Sequence, residues 1–369
     1  MSDCSLPLEW RNESSQKPPR AAVYCREAGA ADILREAYSG KATVWTGDFH
    51  NAKQVLSALK KRIRQSGRRT AMPSAHSIGA AEIFHRHRMM KAQQSRLINM
   101  LAVQIGADFT LDLPRAPDVS AALLEVYGNS GGQPFLLPLN RLLGFLGAHE
   151  WHKKGVNIPQ LGGRIHVPFG VFSPLRGEYL DLLWRAPLSD VWQTAFDIGT
   201  GSGVLAALLA KRGLCVAGSD NNPRAVSCAR SNIERLDLAD AVCIQETDGF
   251  PEGRADLIVC NPPWLPAKPT SAVETALYDP DSAMLKGFLS GVAEHLNPNG
   301  EAWLIMSDLA EHLGLRHRGW LEELFSANGL HTVGTLHARP QHGKAADLKD
   351  PLAFARCLEI TTLYRLKTK

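Results

Sequence analysis

Read in order, the apolar and polar positions of this chain fall into two textures. From about residue 190, apolar runs of four to six residues alternate with amphipathic stretches. Thr194–Ile198, Cys215–Ser219, Ala241–Gln245, Ala255–Cys260 and Glu301–Met306 read as strands. Gly203–Arg212, Pro223–Leu236, Leu285–Leu296 and Gly319–Asn328 carry helical spacing between them. His331–His337 and Leu358–Leu366 make a final pair of strands. Strands alternating with helices predict an α/β fold, with a mostly parallel sheet covered on both faces. Ligands in such sheets sit beyond the carboxyl ends of the strands.

The first half is less regular. Ala42–Thr46 is β-prone, Gly47-Asp48 breaks it, and Leu56, Leu59 and Ile63 recur at helical spacing. Ser66–Ile78 reads as a loop, Ala80–Val103 as a helix, Asp108–Leu113 as a strand and Arg141–Trp151 as a helix. Asn157–Phe172 is punctuated by Gly and Pro around β-prone Arg164–Val167. The pattern predicts a smaller N-terminal α/β or α+β domain over 31–165, after a polar, Pro-containing flexible leader at 1–30. A second domain is expected over 166–369. There is no internal repeat.

Composition narrows the classes. A chain of 369 residues, 44% hydrophobic and 21% charged, is not collagen-like, coiled-coil or disordered. Apolar runs such as Leu205–Ala210 are far shorter than the roughly 20 residues a bilayer requires. The first residues lack a basic stretch followed by an apolar one, so a cytoplasmic protein without a membrane partner is expected. The seven Cys are scattered and form no Cys-x-x-Cys pair, which fits a reducing compartment and argues against a zinc module. His85 and His87 diverge on a helix, and His149 and His152 read as helix surface, so no metal is expected. Net charge is only +4, yet residues 51–100 hold eleven Lys and Arg, Lys60, Lys61, Arg62 and Arg64 among them, against Glu82 alone. Such a segment is either an RNA-contacting surface or a solvated helix face.

The chemistry-bearing residues follow the predicted strands. Phe196-Asp-Ile-Gly199-Thr-Gly201-Ser-Gly203 runs from a strand through a glycine turn into a helix. A dinucleotide fingerprint places its third glycine five residues after the first, where this chain has Val204. Here the glycines fall at 0, +2 and +4, with Asp197 two residues before them. The second strand ends in Asp220, whose carboxylate can accept both hydroxyls of a ribose, and Asn221-Asn222-Pro223 opens the next helix. The third ends in Thr247-Asp248-Gly249-Phe250. The fourth ends in Asn261-Pro262-Pro263-Trp264. Two prolines fix the backbone and remove two N–H donors, which leaves carbonyl groups free to point outward. An amide side chain and a carbonyl can together grip a planar NH2 group, and a neighbouring ring can stack on it. Hydrogen bonds from both N–H groups would push such a nitrogen toward tetrahedral geometry and raise its reactivity, so that catalysis is mainly positioning.

Taken together, these motifs resemble the class I S-adenosylmethionine (SAM) N-methyltransferases with an [Asn/Asp]-Pro-Pro-aromatic motif. Among these, the chain is most similar to the HemK-like glutamine methyltransferases of release factors and a ribosomal protein. Asn261-Pro-Pro-Trp-Leu-Pro266, Tyr278-Asp-Pro-Asp-Ser-Ala283 with Leu285-Lys-Gly287, and Phe172-Ser-Pro-Leu-Arg176-Gly-Glu178 carry that similarity, over roughly 166–369. The resemblance implies a Rossmann-like domain with a seven-stranded, mostly parallel sheet and SAM as cofactor. It implies cofactor contacts from Asp197, toward the methionine ammonium, and from Gly199, Thr200, Gly201, Gly203, Asp220, Asn221 and Asn222. Asp248 would receive the adenine amino group, with Gly249 and Phe250 beside the ring. Asn261, Pro262, Pro263 and Trp264 would form the catalytic tetrapeptide, with Asn261 also near the cofactor, and Arg176 and Glu178 would face substrate. Trp264 stands where that family has Tyr, Leu175 and Gly177 alter the Pro-Arg-x-Glu element, and the N-terminal half differs from that family's short helical domain.

The resemblance thus implies methylation of a planar NH2 group in the translation apparatus, with a glutamine amide of a release factor or ribosomal protein as the leading acceptor. The exocyclic amine of an rRNA or tRNA base, guanine N2 or adenine N6, is the alternative. Guanine-N2 methyltransferases of ribosomal RNA also combine Asn-Pro-Pro-aromatic with an extra N-terminal domain. A non-catalytic SAM-binding RNA module would need a broken glycine turn or a lost Asn-Pro-Pro, and neither is broken. The glycine spacing disfavours a nicotinamide oxidoreductase.

Overall fold

A computed structural model describes residues 6–69, 78–129, 132–175, 177–340, 347 and 350–369. Two compact units divide the chain: Met1–Ile78 with Glu82–His152, and Gly79–Ala81 with Lys153–Lys369.

The first unit is built on five strands: β1 (Glu9–Trp10), β2 (Ala21–Cys25), β3 (Lys41–Trp45), β4 (Leu101–Ile105) and β5 (Phe135–Pro138). Their order is β1-β5-β4-β3-β2, with only the β4/β5 pair antiparallel. Residues 6–25 are therefore not the loose leader their composition suggests. Glu9 and Trp10 pair with Phe135 and Leu136, and β2 pairs along β3. The signal was weak because β2 is a half-exposed edge with no apolar alternation. The helix expected to run to Val103 stops at Ile98, and the wholly apolar Leu101–Val103 stretch goes into β4. Asp108–Leu113, expected as a strand, is loop, with Asp108 accepting from both the backbone N–H and the hydroxyl of Thr110. His149 and His152 do not simply face solvent: both Nδ1 atoms reach Glu125 Oε2, at 2.7 and 3.0 Å.

The second unit opens with a hairpin of β6 (Val156–Ile158) and β7 (Gly163–Ile165). The sequence placed this segment at the end of the first domain. Ile158, Leu161 and Ile165 instead pack in one core with Tyr179, Leu208 and Ile233, which fixes the hairpin to the second unit. The large sheet comprises β8 (Thr194–Ile198), β9 (Cys215–Asp220), β10 (Val242–Glu246), β11 (Ala255–Cys260), β12 (Leu296–Ser307), β13 (Leu330–Ala338) and β14 (Thr361–Thr368). It runs β10-β9-β8-β11-β12-β14-β13, parallel up to β12 and antiparallel in its last two pairs. This is the class I Rossmann-like arrangement. One core lies under helices 178–185, 204–211 and 223–235, and a second under helices 283–295 and 320–327. The apolar strand residues divide between the two cores, as a sheet buried on both faces requires. Among the described residues, no helix is long and apolar enough to cross a membrane.

Asn232 ties this unit together at one buried point. Its Oδ1 accepts from the His166 N–H at 2.8 Å, and its Nδ2 donates to the carbonyls of His166 and Ser202, at 3.0 and 2.9 Å. The side chain is fully buried. Asn232→Leu would take the amide partner from the His166 N–H and from the Ser202 carbonyl, each at about 1–3 kcal/mol, while the His166 carbonyl keeps the Cys228 thiol. Urea unfolding should show a loss of about 3 kcal/mol or more, whereas a loss below half of that would show that these groups find other partners.

Candidate functional site

The first three strands from the sheet's middle outward end in a glycine turn and two acids. Asp197, at the penultimate position of β8, is fully buried. Its Oδ2 accepts from the Thr200 hydroxyl at 2.7 Å and from the Ala206 N–H at 3.0 Å. One carboxylate thus spans the turn and the first turn of the following helix. Its Oδ1 is buried without a partner among the described residues. Burial raises the Asp197 pKa to about 6, against the hydrogen bonds from Thr200 and Ala206, and the nearby Asp220 adds to the rise.

Gly199, Gly201 and Gly203 all have left-handed φ, at 70°, 57° and 79°. Two of them also have close neighbours, the movable tip of Met284 at Gly199 and backbone at Gly203. A Cβ on Gly199 would lie 2.3 Å from Met284 Cε, and one on Gly203 3.1 Å from Ala229 Cα. A Cβ on Gly201 would meet nothing nearer than 3.9 Å. The turn therefore presents an open face at Gly201. Beside it, Asp220 accepts from the Gly201 N–H at 3.0 Å and from the Asn222 N–H at 2.9 Å. Burial raises its pKa while these two bonds lower it. Each of its oxygens keeps a lone pair for a ligand hydroxyl. An orphaned acceptor, an open glycine face and a half-buried carboxylate fit a ligand that carries a cation and vicinal hydroxyls.

At the next strand end, Asn221 Nδ2 donates to Asp248 Oδ1 at 3.1 Å, and the Ser219 hydroxyl donates to the Gly249 carbonyl. These bonds hold the ends of β9 and β10 together. Asn222 caps helix 223–235 by accepting from the Arg224 N–H. Phe250 stacks on His295, with centroids 4.5 Å apart, and lies parallel to Phe288. A Cβ on Gly291 would lie 2.3 Å from its ring. That ring is thus packed onto helix 283–295.

The tetrapeptide lies next to the glycine turn. Ile198 pairs with Cys260, so Gly199 and Asn261 leave adjacent strands side by side. Asn261 Oδ1 accepts from the Trp264 indole N–H at 3.0 Å. The aromatic residue thus fixes the amide as well as flanking it, and one lone pair of Oδ1 is left for an incoming N–H. Cys260 is buried in β11 and its thiol pKa is pushed far up by burial. Glu178 is buried at the start of helix 178–185, whereas Arg176 lies outside the described residues. Two residues given no role from the sequence, Asp279 and Met284, complete the floor. Asp279, 4% exposed, accepts from the backbone N–H groups of Met284 and Leu285, and Met284 then closes on Gly199. The Asp279-Pro280 dipeptide is a turn signal that could have marked that helix start.

Residues 165–332 match the methyltransferase small domain. Release factor glutamine methyltransferase of Cereibacter sphaeroides is 33% identical over 159 residues, covering 39% of this chain and 56% of that protein. Ribosomal protein L11 methyltransferase of Desulfitobacterium hafniense is 41% identical over 68 residues, 18% of this chain and 22% of that protein. The tRNA1(Val) (adenine(37)-N6)-methyltransferase of Porphyromonas gingivalis is 30% identical over 131 residues, 32% of this chain and 51% of that protein. The chain spans about half the length of the curated relatives it matches.

Asp197 makes stability depend on pH in a defined direction. Its folded pKa lies above the unfolded value, so the folded state holds its proton longer. The stabilisation is complete below about pH 4 and is lost as pH rises through about 6. Asp197→Asn removes the titration. The unfolding free energy of wild type minus variant should fall by about 3 kcal/mol between pH 4 and pH 7. A difference that stays flat or rises over that window would contradict the burial of this carboxylate.

Proposed function

Taking residues 165–332 as a methyltransferase small domain, we propose that the protein is a SAM-dependent N-methyltransferase acting on a planar NH2 group of the translation apparatus. The acceptor is a glutamine side-chain amide of a protein. The observation that carries this reading is the Asn261–Trp264 pair, set on the strand next to the glycine turn. When bound, SAM supplies an electrophilic methyl group on its sulfonium. Asp220 takes its ribose hydroxyls, Gly201 leaves room for its backbone-hugging approach, and Asp197 faces the turn from beneath with its free oxygen. Asn261 Oδ1, held by Trp264, accepts one N–H of the acceptor, and a carbonyl of the Asn-Pro-Pro backbone accepts the other. The nitrogen is thereby turned with its lone pair toward the methyl carbon. The new N–C bond would replace the sulfonium S–C bond, S-adenosylhomocysteine would leave, and the nitrogen's extra proton would pass to solvent. Orientation supplies most of the rate enhancement. The identities to a release factor glutamine methyltransferase and to ribosomal protein L11 methyltransferase support a protein acceptor.

A second reading, with an RNA base as acceptor, is favoured by the basic helices Phe49–Arg69 and Ala80–Ile98. Lys61, Arg62 and Arg64 are exposed there, and Lys60 has its pKa lowered by burial and by Arg64 one turn away. Incubation with tritiated-methyl SAM and undermodified cell extract separates the two. Label removed by protease and retained after RNase is the expected result, with N5-methylglutamine in the hydrolysate. Label removed by RNase would replace the leading reading by the second.

Two substitutions divide binding from chemistry. Asp220→Ala should weaken SAM about ten- to hundredfold in calorimetry, since a charge-assisted bond contributes about 1.5–3 kcal/mol. Asn261→Ala should leave SAM affinity within about twofold and lower kcat by at least about a hundredfold. Normal turnover by Asn261→Ala would remove the amide from the mechanism.

A further inference from the structure

A pocket of about 540 Å³ has Pro266, two residues beyond the tetrapeptide, in its lining, with Asp281, Ser282, Leu315, Arg316 and Trp320 among the other lining residues. Its position follows from the topology. Beyond Trp264, Leu265 bridges to Tyr278 and accepts from the Asp279 N–H at 2.9 Å, which brings Pro266 toward Asp281 and Ser282. The other wall comes from the segment that follows β12. In the order β9-β8-β11-β12, the glycine turn and Asp220 leave β8 and β9, whereas this second wall follows β12, on the other side of β11.

Arg316 is 9% exposed. Its Nη2 donates to the Ser282 hydroxyl at 2.8 Å, its guanidinium lies 4.8 Å from the centre of the Trp320 ring, and its buried Nε has no partner among the described residues. A buried cation usually has its donors satisfied by a carboxylate. The nearby Asp279 accepts instead from the backbone N–H groups of Met284 and Leu285, one at each oxygen. Burial lowers the Arg316 pKa to about 10 against the opposing charges of Asp279 and Glu311, and it stays a cation at neutral pH. The guanidinium is thus electrically balanced and still has donor capacity to spare. Asp281 stands in the same lining as an exposed acceptor.

A phosphodiester entering this pocket would meet Asp281 directly and the field of Asp279 and Glu311 behind Arg316. A peptide group meets a donor for its carbonyl, an acceptor for its N–H, and apolar walls at Pro266, Leu315 and Trp320. We propose that this pocket binds the main chain beside the acceptor glutamine, with Arg316 donating to a peptide carbonyl and Asp281 accepting from a peptide N–H. The proposal rests on the N-methyltransferase reading with a protein acceptor and deepens it by giving the main chain beside that acceptor a binding site.

Full-length protein labelled with 5-fluorotryptophan tests it, with the Trp320 resonance assigned through Trp320→Phe. The probes are acetyl-Ala-Gln-Ala-amide and a ribodinucleotide, each titrated into the millimolar range. The tripeptide is expected to shift the Trp320 resonance saturably and the dinucleotide to leave it in place. Arg316→Gln should weaken the tripeptide about tenfold or more. Asp281→Asn should weaken it several-fold, and it keeps the fold intact because Asn tolerates the left-handed φ of 54° at this position. Asn261→Ala should leave the shift unchanged, which separates loss of transfer from loss of this contact. A shift caused by the dinucleotide alone, no shift with either probe, or a tripeptide affinity indifferent to both Arg316→Gln and Asp281→Asn would overturn the proposal.

Discussion

The site depends on one buried carboxylate. Asp197 sits at the end of β8 with no solvent around it and spends one oxygen on Thr200 and Ala206. Those two bonds fix the start of the helix relative to the strand, so the three glycines between them must take up left-handed backbone. Once the turn is fixed, the Gly201 N–H points at Asp220, which in turn receives the Asn222 N–H and sets the start of the next helix. Burying this charge costs stability at neutral pH. The cost is tolerated because the unpaired second oxygen is the feature a cationic ligand would satisfy.

The same turn couples the halves of the site. Met284 closes against Gly199, and the helix that carries it is capped by Asp279, which lies in the segment pinned to Leu265 just beyond the tetrapeptide. The Asn261–Trp264 bond is thus held from both directions: by the β8/β11 register on one side and by the 265–279 segment on the other. Pre-set geometry of this kind suits a reaction in which the protein aligns weakly nucleophilic nitrogen rather than moving a proton.

Sequence legibility followed the physics of each region. Thr194–Ile198 and Ala255–Cys260 were read to the residue, because buried parallel strands are short apolar runs bounded by turn residues. The glycine turn, Asp220 and Asn261 were legible because strand ends in a doubly wound sheet carry polar residues only where something must be bound or capped. The first unit was read poorly. Its edge strand β2 is half exposed, and the β4 segment follows a helix so closely that periodicity merges the two. Arg316 was invisible for another reason. It sits in Gly-Leu-Arg-His-Arg-Gly, which reads as surface loop, and only the tertiary fold lays Ser282 and Trp320 against it. The Trp264–Asn261 bond was likewise missed, since a motif gives residue types but not which hydrogen bonds they make.

The central claim is that the open face of the glycine turn is the cofactor's seat, and Gly201 is the residue to change. A methyl group there meets no protein atom within 3.9 Å, in contrast to Gly199 and Gly203. Its conformational strain, about 1–2 kcal/mol, leaves a folded protein. Calorimetric titration of S-adenosylhomocysteine into wild type and Gly201→Ala is therefore the most direct measurement. Wild type should bind, and the folded variant should lose at least about tenfold in affinity, or about 1.4 kcal/mol. Equal affinity for the two proteins would mean that the ligand does not approach this turn, and the account would fail.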